Sequence, residues 1–167
     1  QLTFIGRSPG RLDVMGGIAD YSGSLLLQMP IAELTTVQLQ KRSGDIFQVS
    51  TDTDEKQQSF DIDLRLLQGR NYQESGEIIR KIPGGNWASY ILGCYLVLEK
   101  EKGLSFGGDM VTVNSNVPPG KGVSSSAAIE VAVMHAIQKA YGISMSPVEL
   151  AVLAQKVENL VVGADRK

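Results

Sequence analysis

Residues 117–128 read Val-Pro-Pro-Gly-Lys-Gly-Val-Ser-Ser-Ser-Ala-Ala, a glycine-rich turn whose three hydroxyls run directly into an apolar, helix-forming stretch. A helix start leaves its first four N–H groups without partners and carries about half a positive charge, so an anion placed there is bonded and electrostatically favoured. Gly120 and Gly122 let the backbone approach such an anion closely. Ser124, Ser125 and Ser126 offer hydroxyls to phosphate oxygens or to Mg2+, a hard cation that takes oxygen ligands and shares its substrate's phosphates. Lys121 adds a cation at the loop apex, solvated or on a phosphate, and Pro119, Val123 and Ala127 complete the turn. The same residues also fit a plain capped helix after a tight turn, although three serines exceed what one cap needs. A Walker P-loop is excluded because Lys121 is followed by Gly122 and not by Ser or Thr. A dinucleotide fingerprint is excluded because Gly120 and Gly122 have no third glycine three residues on.

A second constellation lies near the N-terminus, where Pro9-Gly10-Arg11 leads through Asp13, Gly16, Gly17 and Ile18 to Asp20-Tyr21. It falls between two strand candidates, as functional loops commonly do. Arg11 has the planar fork that braces a phosphoryl group, and Asp20 can accept hydrogen bonds from paired hydroxyls of a polyol. By composition alone the two are equally a solvated or mutually paired turn. His135 stands among Val133, Met134 and Ala136 with no second histidine to build a metal site, and reads as packing.

These groups must be positioned by one core. With 167 residues and 43% hydrophobic content the chain suits a single domain. A net charge of −2 with interspersed signs lacks the footprint that a phosphate backbone demands, which excludes nucleic acid as the expected partner. The single cysteine, Cys94, cannot form an internal disulfide and sits among apolar residues, which fits a buried thiol in a reducing, cytoplasmic compartment. No apolar run is long enough for a membrane span and no leader pattern is present. The chain opens on Gln1, and we expect it to be excised from a longer protein.

Extended segments are expected at 2–7, 25–28, 35–39, 47–51 and 60–64, suggesting an antiparallel sheet. Residues 52–58 and 68–77 are polar and aperiodic and read as loops. Trp87, Ile91, Tyr95 and Leu98 recur at helical spacing, predicting a helix over 86–102 closed by Gly103. A strand at 110–113 leads into the glycine turn, and a helix over 127–141 follows up to Gly142. Ser146-Pro147-Val148-Glu149 is a capping-box pattern with proline at the first helical position, predicting a helix over 147–162. Strands followed by packed helices indicate an α+β, two-layer domain.

The two motifs together resemble the GHMP small-molecule kinases, in particular the galactokinase-like branch and its plant-type L-arabinokinases. Pro9-Gly10-Arg11 through Asp20-Tyr21 is similar to that family's first motif, and residues 119–128 to its second. Gln155-Lys156-Val157-Glu158-Asn159 is similar to the segment that supplies a metal-binding glutamate. The resemblance runs from Phe4 to about Gly163 and is thin between Gln40 and Pro83. It implies the family's N-terminal fold, that of ribosomal protein S5 domain 2, with a mixed or antiparallel sheet and helices on one face over residues 1–167. It implies ATP and Mg2+ as cofactors and a monosaccharide as substrate. In it, Gly120, Gly122, Ser124 and Ser125 wrap the ATP phosphates while Ser126 and Glu158 hold Mg2+. Arg11 stabilises the transferred phosphoryl group, Asp20 binds sugar hydroxyls, and Trp87 either borders the adenine or simply packs in the core.

Two departures refine this. Galactokinases carry an acidic residue and a histidine where this chain has Gly17 and Ile18, beside the sugar's exocyclic hydroxymethyl. An apolar wall would leave that group's hydroxyl unpaired, which favours a pentose, L-arabinose. The family's aspartate base lies about a dozen residues after the metal-binding glutamate. Lys167 comes first, and Asp165 is too early and reads as a surface residue. The resemblance therefore implies the N-terminal half of a kinase, inactive without its C-terminal domain. Two alternatives stand beside it: a nucleotide- and sugar-binding regulatory module without turnover, and a relative acting on a small alcohol.

Overall fold

The computed structural model describes residues 2–15, 27–51, 58–115, 125–161 and 163, and of these 9–15, 27–34, 115, 125 and 126 by backbone alone. Five strands, β1 (Thr3–Met15), β2 (Leu27–Gln40), β3 (Ile46–Thr51), β4 (Ser59–Asp63) and β5 (Met110–Ser115), form one sheet in the order β1-β2-β5-β3-β4. Four α-helices are α1 (Tyr72–Lys81), α2 (Gly85–Lys102), α3 (Ser125–Tyr141) and α4 (Pro147–Lys156), the last running into a π-helical turn, Val157–Val161.

Period-2 alternation builds the layers. Val37 and Leu39 of β2, Phe47 and Val49 of β3, Phe60 and Ile62 of β4, and Val111 and Val113 of β5 are all buried. Their neighbours Gln38, Asp61 and Asn114 are exposed. The buried face and the helices share one core, in which α2 is hidden continuously from Ile91 to Leu98. Gly6 lets α3 lie directly on β1, for a Cβ there would stand 1.8 Å from the Ala132 carbonyl oxygen. This is the expected α+β fold, and of the mixed or antiparallel sheet expected the mixed form is found: β5 enters between β2 and β3 and runs parallel to β3. The connection through α1 and α2 makes that possible, since a parallel neighbour needs a long crossover.

Three local expectations are corrected. Residues 27–28 and 35–39 are not in separate strands, because β2 continues through Pro30 as the partner of a long β1, with shifts of register at Pro9/Arg11 and Asp13/Met15, while 25 and 26 lie outside the described residues. Pro30 is tolerated where the pairing is irregular. Residues 68–77 are not all loop: Asn71 and Glu74 form a reciprocal capping box and open α1. Its apolar residues do recur at helical spacing, with Ile79 buried and Tyr72 and Ile78 packed against the core, a period that the polar residues between them masked in the reading of the sequence. The helix over 147–162 changes at Val157 from α to π winding.

The end of the sheet where β5 begins is tied by Asp109, whose carboxylate accepts from Tyr95 Oη at 3.1 Å, Tyr141 Oη at 2.5 Å and the Arg42 N–H at 3.3 Å. At its other end β5 stops at Ser115.

Candidate functional site

The site is built where the start of α3 meets the π-turn. α3 begins at Ser125, so Ser125 and Ser126 occupy its first turn, whose N–H groups have no partner within the helix itself. β5 thus precedes the glycine-rich segment in the chain and α3 follows it. Residues 116–124 lie outside the described residues, and with them Pro119, Gly120, Lys121, Gly122, Val123 and Ser124. Gly17, Ile18, Asp20, Tyr21 and Asp165 lie outside them too.

Four residues after Ser126, one helical turn and about 6 Å along the axis, stands Glu130. It is on the same helix face, and its side chain leans back toward the helix start. It is 1% exposed, and its Oε1 has no hydrogen-bond partner. Burial first, then the charge of Glu158 and a hydrogen bond with it, push the Glu130 carboxyl up to about 10. Glu158 comes from the π-turn, partly buried. The two carboxyl groups thus face one another across the junction of α3 with the π-turn. Tyr90 and Cys94, one turn apart on α2, close its floor: burial raises both titrations, and the two glutamates raise them further. The Cys94 thiol is fully buried and donates to the Tyr90 carbonyl at 3.1 Å, as a structural cysteine does.

Two carboxyl groups held together, one with an unpartnered oxygen, form an oxygen-only donor set that a divalent cation would neutralise. The residues fit Mg2+. Among the described residues no cluster of three metal-ligating side chains occurs, so a cation here would also draw on Ser126 and on its substrate. Glu130 was missed by sequence reasoning, and its signal was there: an acidic residue four positions from Ser126 on an otherwise apolar helix.

Arg11 is not in a turn but on β1, opposite Pro30, because β1 extends to Met15. Trp87 lies in the first turn of α2, partly buried, with its indole nitrogen buried and without an acceptor among the described residues. A Cβ on Gly84 would meet that nitrogen at 3.4 Å and the Ser59 carbonyl at 3.5 Å, which puts the indole nitrogen beside β4. Ala127 is exposed beside the helix start. His135 pairs through Nδ1 with Gln138 Oε1 at 3.2 Å and takes no part in the site. No helix among the described residues is long and apolar enough to cross a membrane.

Comparison with known proteins gives concordant results. Residues 89–166, from the first turns of α2 past the π-turn, match the family described as GHMP kinases N terminal domain. The chain is 42% identical to L-arabinokinase of Arabidopsis thaliana over 96% of its own length and 18% of that protein. It is 33% identical to the galactokinase of Thermococcus kodakarensis over 93% of its length and 39% of that protein. The chain thus spans well under half of these relatives. Its fold is similar to that of Lactococcus lactis galactokinase, solved with galactose, at a TM-score of 0.80 and 22% identity, covering 99% of this chain and 39% of that one. It is also similar to the mevalonate kinase of Methanococcus jannaschii, at a TM-score of 0.71 and 20% identity, covering 97% and 48%.

Proposed function

The chain belongs to the GHMP kinases, whose N-terminal domain it carries, and on that premise we propose that it is the nucleotide-binding part of an ATP-dependent sugar kinase. The reaction is transfer of the ATP γ-phosphoryl group to the anomeric hydroxyl of a monosaccharide, with L-arabinose as the substrate. The observation that carries this reading is the convergence of Glu158 and the buried Glu130 beside the start of α3, where the cation and the phosphates belong.

In this reading Gly120, Gly122, Ser124 and Ser125 wrap the phosphates with backbone N–H groups and hydroxyls, and Ser126 and Glu158 hold Mg2+. When bound, Mg2+ neutralises charge on the transferring phosphate. Arg11, whose backbone pairs with Pro30 on β2, stabilises the transferred group. Asp20, with Tyr21 beside it, binds sugar hydroxyls, while Gly17 and Ile18 reject a hydroxymethyl group. The ring of Trp87 borders the adenine. A cytoplasmic location belongs to the same reading, supported by the buried, unpaired Cys94.

The test is ADP release by the full-length protein with Mg2+, ATP and L-arabinose, galactose or galacturonate. We expect release with L-arabinose and little with the others. Equal turnover of galactose would sink the argument from Gly17 and Ile18. Silence with every sugar, from protein that binds ATP, would replace the kinase by a regulatory sensor.

A further inference from the structure

The segment that carries Glu158 is wound as a π-turn, a conformation that is rare and concentrated at functional sites. Contacts from two helices hold it. Val157 and Val161, both fully buried, press on Gly93 of α2, where a Cβ would stand 2.9 Å from Val157 Cγ1 and 3.2 Å from Val161 Cγ1. The Val161 carbonyl lies on α1 so closely that a Cβ on Gly76 would be 2.2 Å from its oxygen. The same oxygen accepts a hydrogen bond from Arg80 Nη1 at 2.6 Å. The Arg80 guanidinium also faces Gly163, where a Cβ would stand 3.4 Å from Nη1. Arg80 thus supplies a charge-assisted donor to a carbonyl at the end of a helix and a positive charge at the negative end of its dipole.

We propose that Arg80 is a positioning residue for Glu158. Its bond to the Val161 carbonyl fixes the π-turn, and the π-turn sets the direction in which the Glu158 carboxylate meets Glu130. The small face of α1, Ser75 and Gly76, lets the turn's backbone reach the guanidinium, so α1 acts on the cation site from behind it. This rests on the reading of Glu158 as a side chain that holds the metal.

The test is Mn2+ affinity in the presence of ATP, read by the electron paramagnetic resonance of free Mn2+. The full-length protein is compared with its Glu158→Gln, Arg80→Gln, Arg80→Lys and Ile79→Val variants. Ile79 is fully buried on the same helix, so its variant reports loosening of α1 with Arg80 intact. Partners that orient a metal ligand are typically worth 10–100-fold in metal affinity, so Arg80→Gln is expected to weaken Mn2+ about tenfold. Arg80→Lys should recover part of the loss, Ile79→Val should bind like the parent, and ATP affinity without metal should not move. Parental Mn2+ affinity in Arg80→Gln, or an equal loss in Ile79→Val, overturns the proposal. If Arg80→Gln does not fold, Arg80→Lys carries the same test, with a smaller loss expected and parental affinity overturning it. Mn2+ affinity unmoved by Glu158→Gln removes the underlying reading of the site, which keeps the two failures apart.

Discussion

Glycines mark where backbone meets backbone in this molecule, and two of them predict opposite magnitudes for one substitution. Gly6→Ala drives a Cβ into the Ala132 carbonyl of α3, neither side of which is a flexible chain end, so a loss at or above the 1–3 kcal/mol that overpacking typically costs, about 3 kcal/mol, is expected. Gly142→Ala meets open space and has only the left-handed backbone to accommodate, at φ +66, so about 1 kcal/mol is expected. Urea denaturation of the two variants measures the difference, and equal losses would mean that α3 does not rest on β1 as described. Gly142 could be read from the sequence because it follows a helical run. Gly6 could not, because its partner is remote in the chain. Glu130 lies between these cases: its spacing from Ser126 was visible, but that Glu158 faces it depends on how the π-turn packs.

Elements whose ends carry their own chemistry were legible. Gly103 takes the left-handed conformation that closes α2 and Ser146 accepts from the Glu149 N–H at 3.1 Å to open α4, both as their residue types predict. Ser146→Ala should therefore cost about 1 kcal/mol of stability, measured by thermal unfolding. The reciprocal half of that capping box is not what Glu149 is used for, since its carboxylate takes Lys102 Nζ at 2.6 Å. What the reading of the sequence missed was α1, whose apolar residues are spread among polar ones, and the continuity of β2 through Pro30, which a partner strand imposes. Packing between helices also sets a pH response. Lys156 Nζ of α4 donates to Glu101 Oε1 of α2 at 2.8 Å, and Tyr72 Oη of α1 donates to the same oxygen at 3.4 Å. The Lys156 bond is the largest influence holding the Glu101 carboxyl below its usual value of 4.5. A carboxyl lowered on folding adds stability above that value and loses it as pH falls through the folded one. Glu101→Gln should therefore flatten the acid limb of the stability profile below about pH 4.5 and little else, a small effect for an exposed pair. An unchanged limb would show that the three-helix contact does not persist in solution.

At the scale of the whole molecule, Asp109 and the site occupy opposite ends of β5, and they call for opposite expectations. Asp109→Ala would leave the buried Tyr95 hydroxyl without its acceptor, at about 1–3 kcal/mol in stability, with no direct effect on nucleotide. Fold class was readable because alternation and helical period agree with one two-layer core. The parallel pairing of β3 with β5 was not, because strand order is decided by crossovers that leave no local pattern. The motif residues were readable in kind, and of them Ser126 stands in the first turn of α3 and Glu158 on the π-turn. The most direct measurement is phosphorus NMR of the full-length protein turning over Mg2+, ATP and L-arabinose. The account predicts a new sugar phosphate resonance coupled to the anomeric proton, growing as ADP appears and abolished by Glu158→Gln. ATP consumed to inorganic phosphate with no sugar ester, or an ester formed equally well by Glu158→Gln, would contradict it.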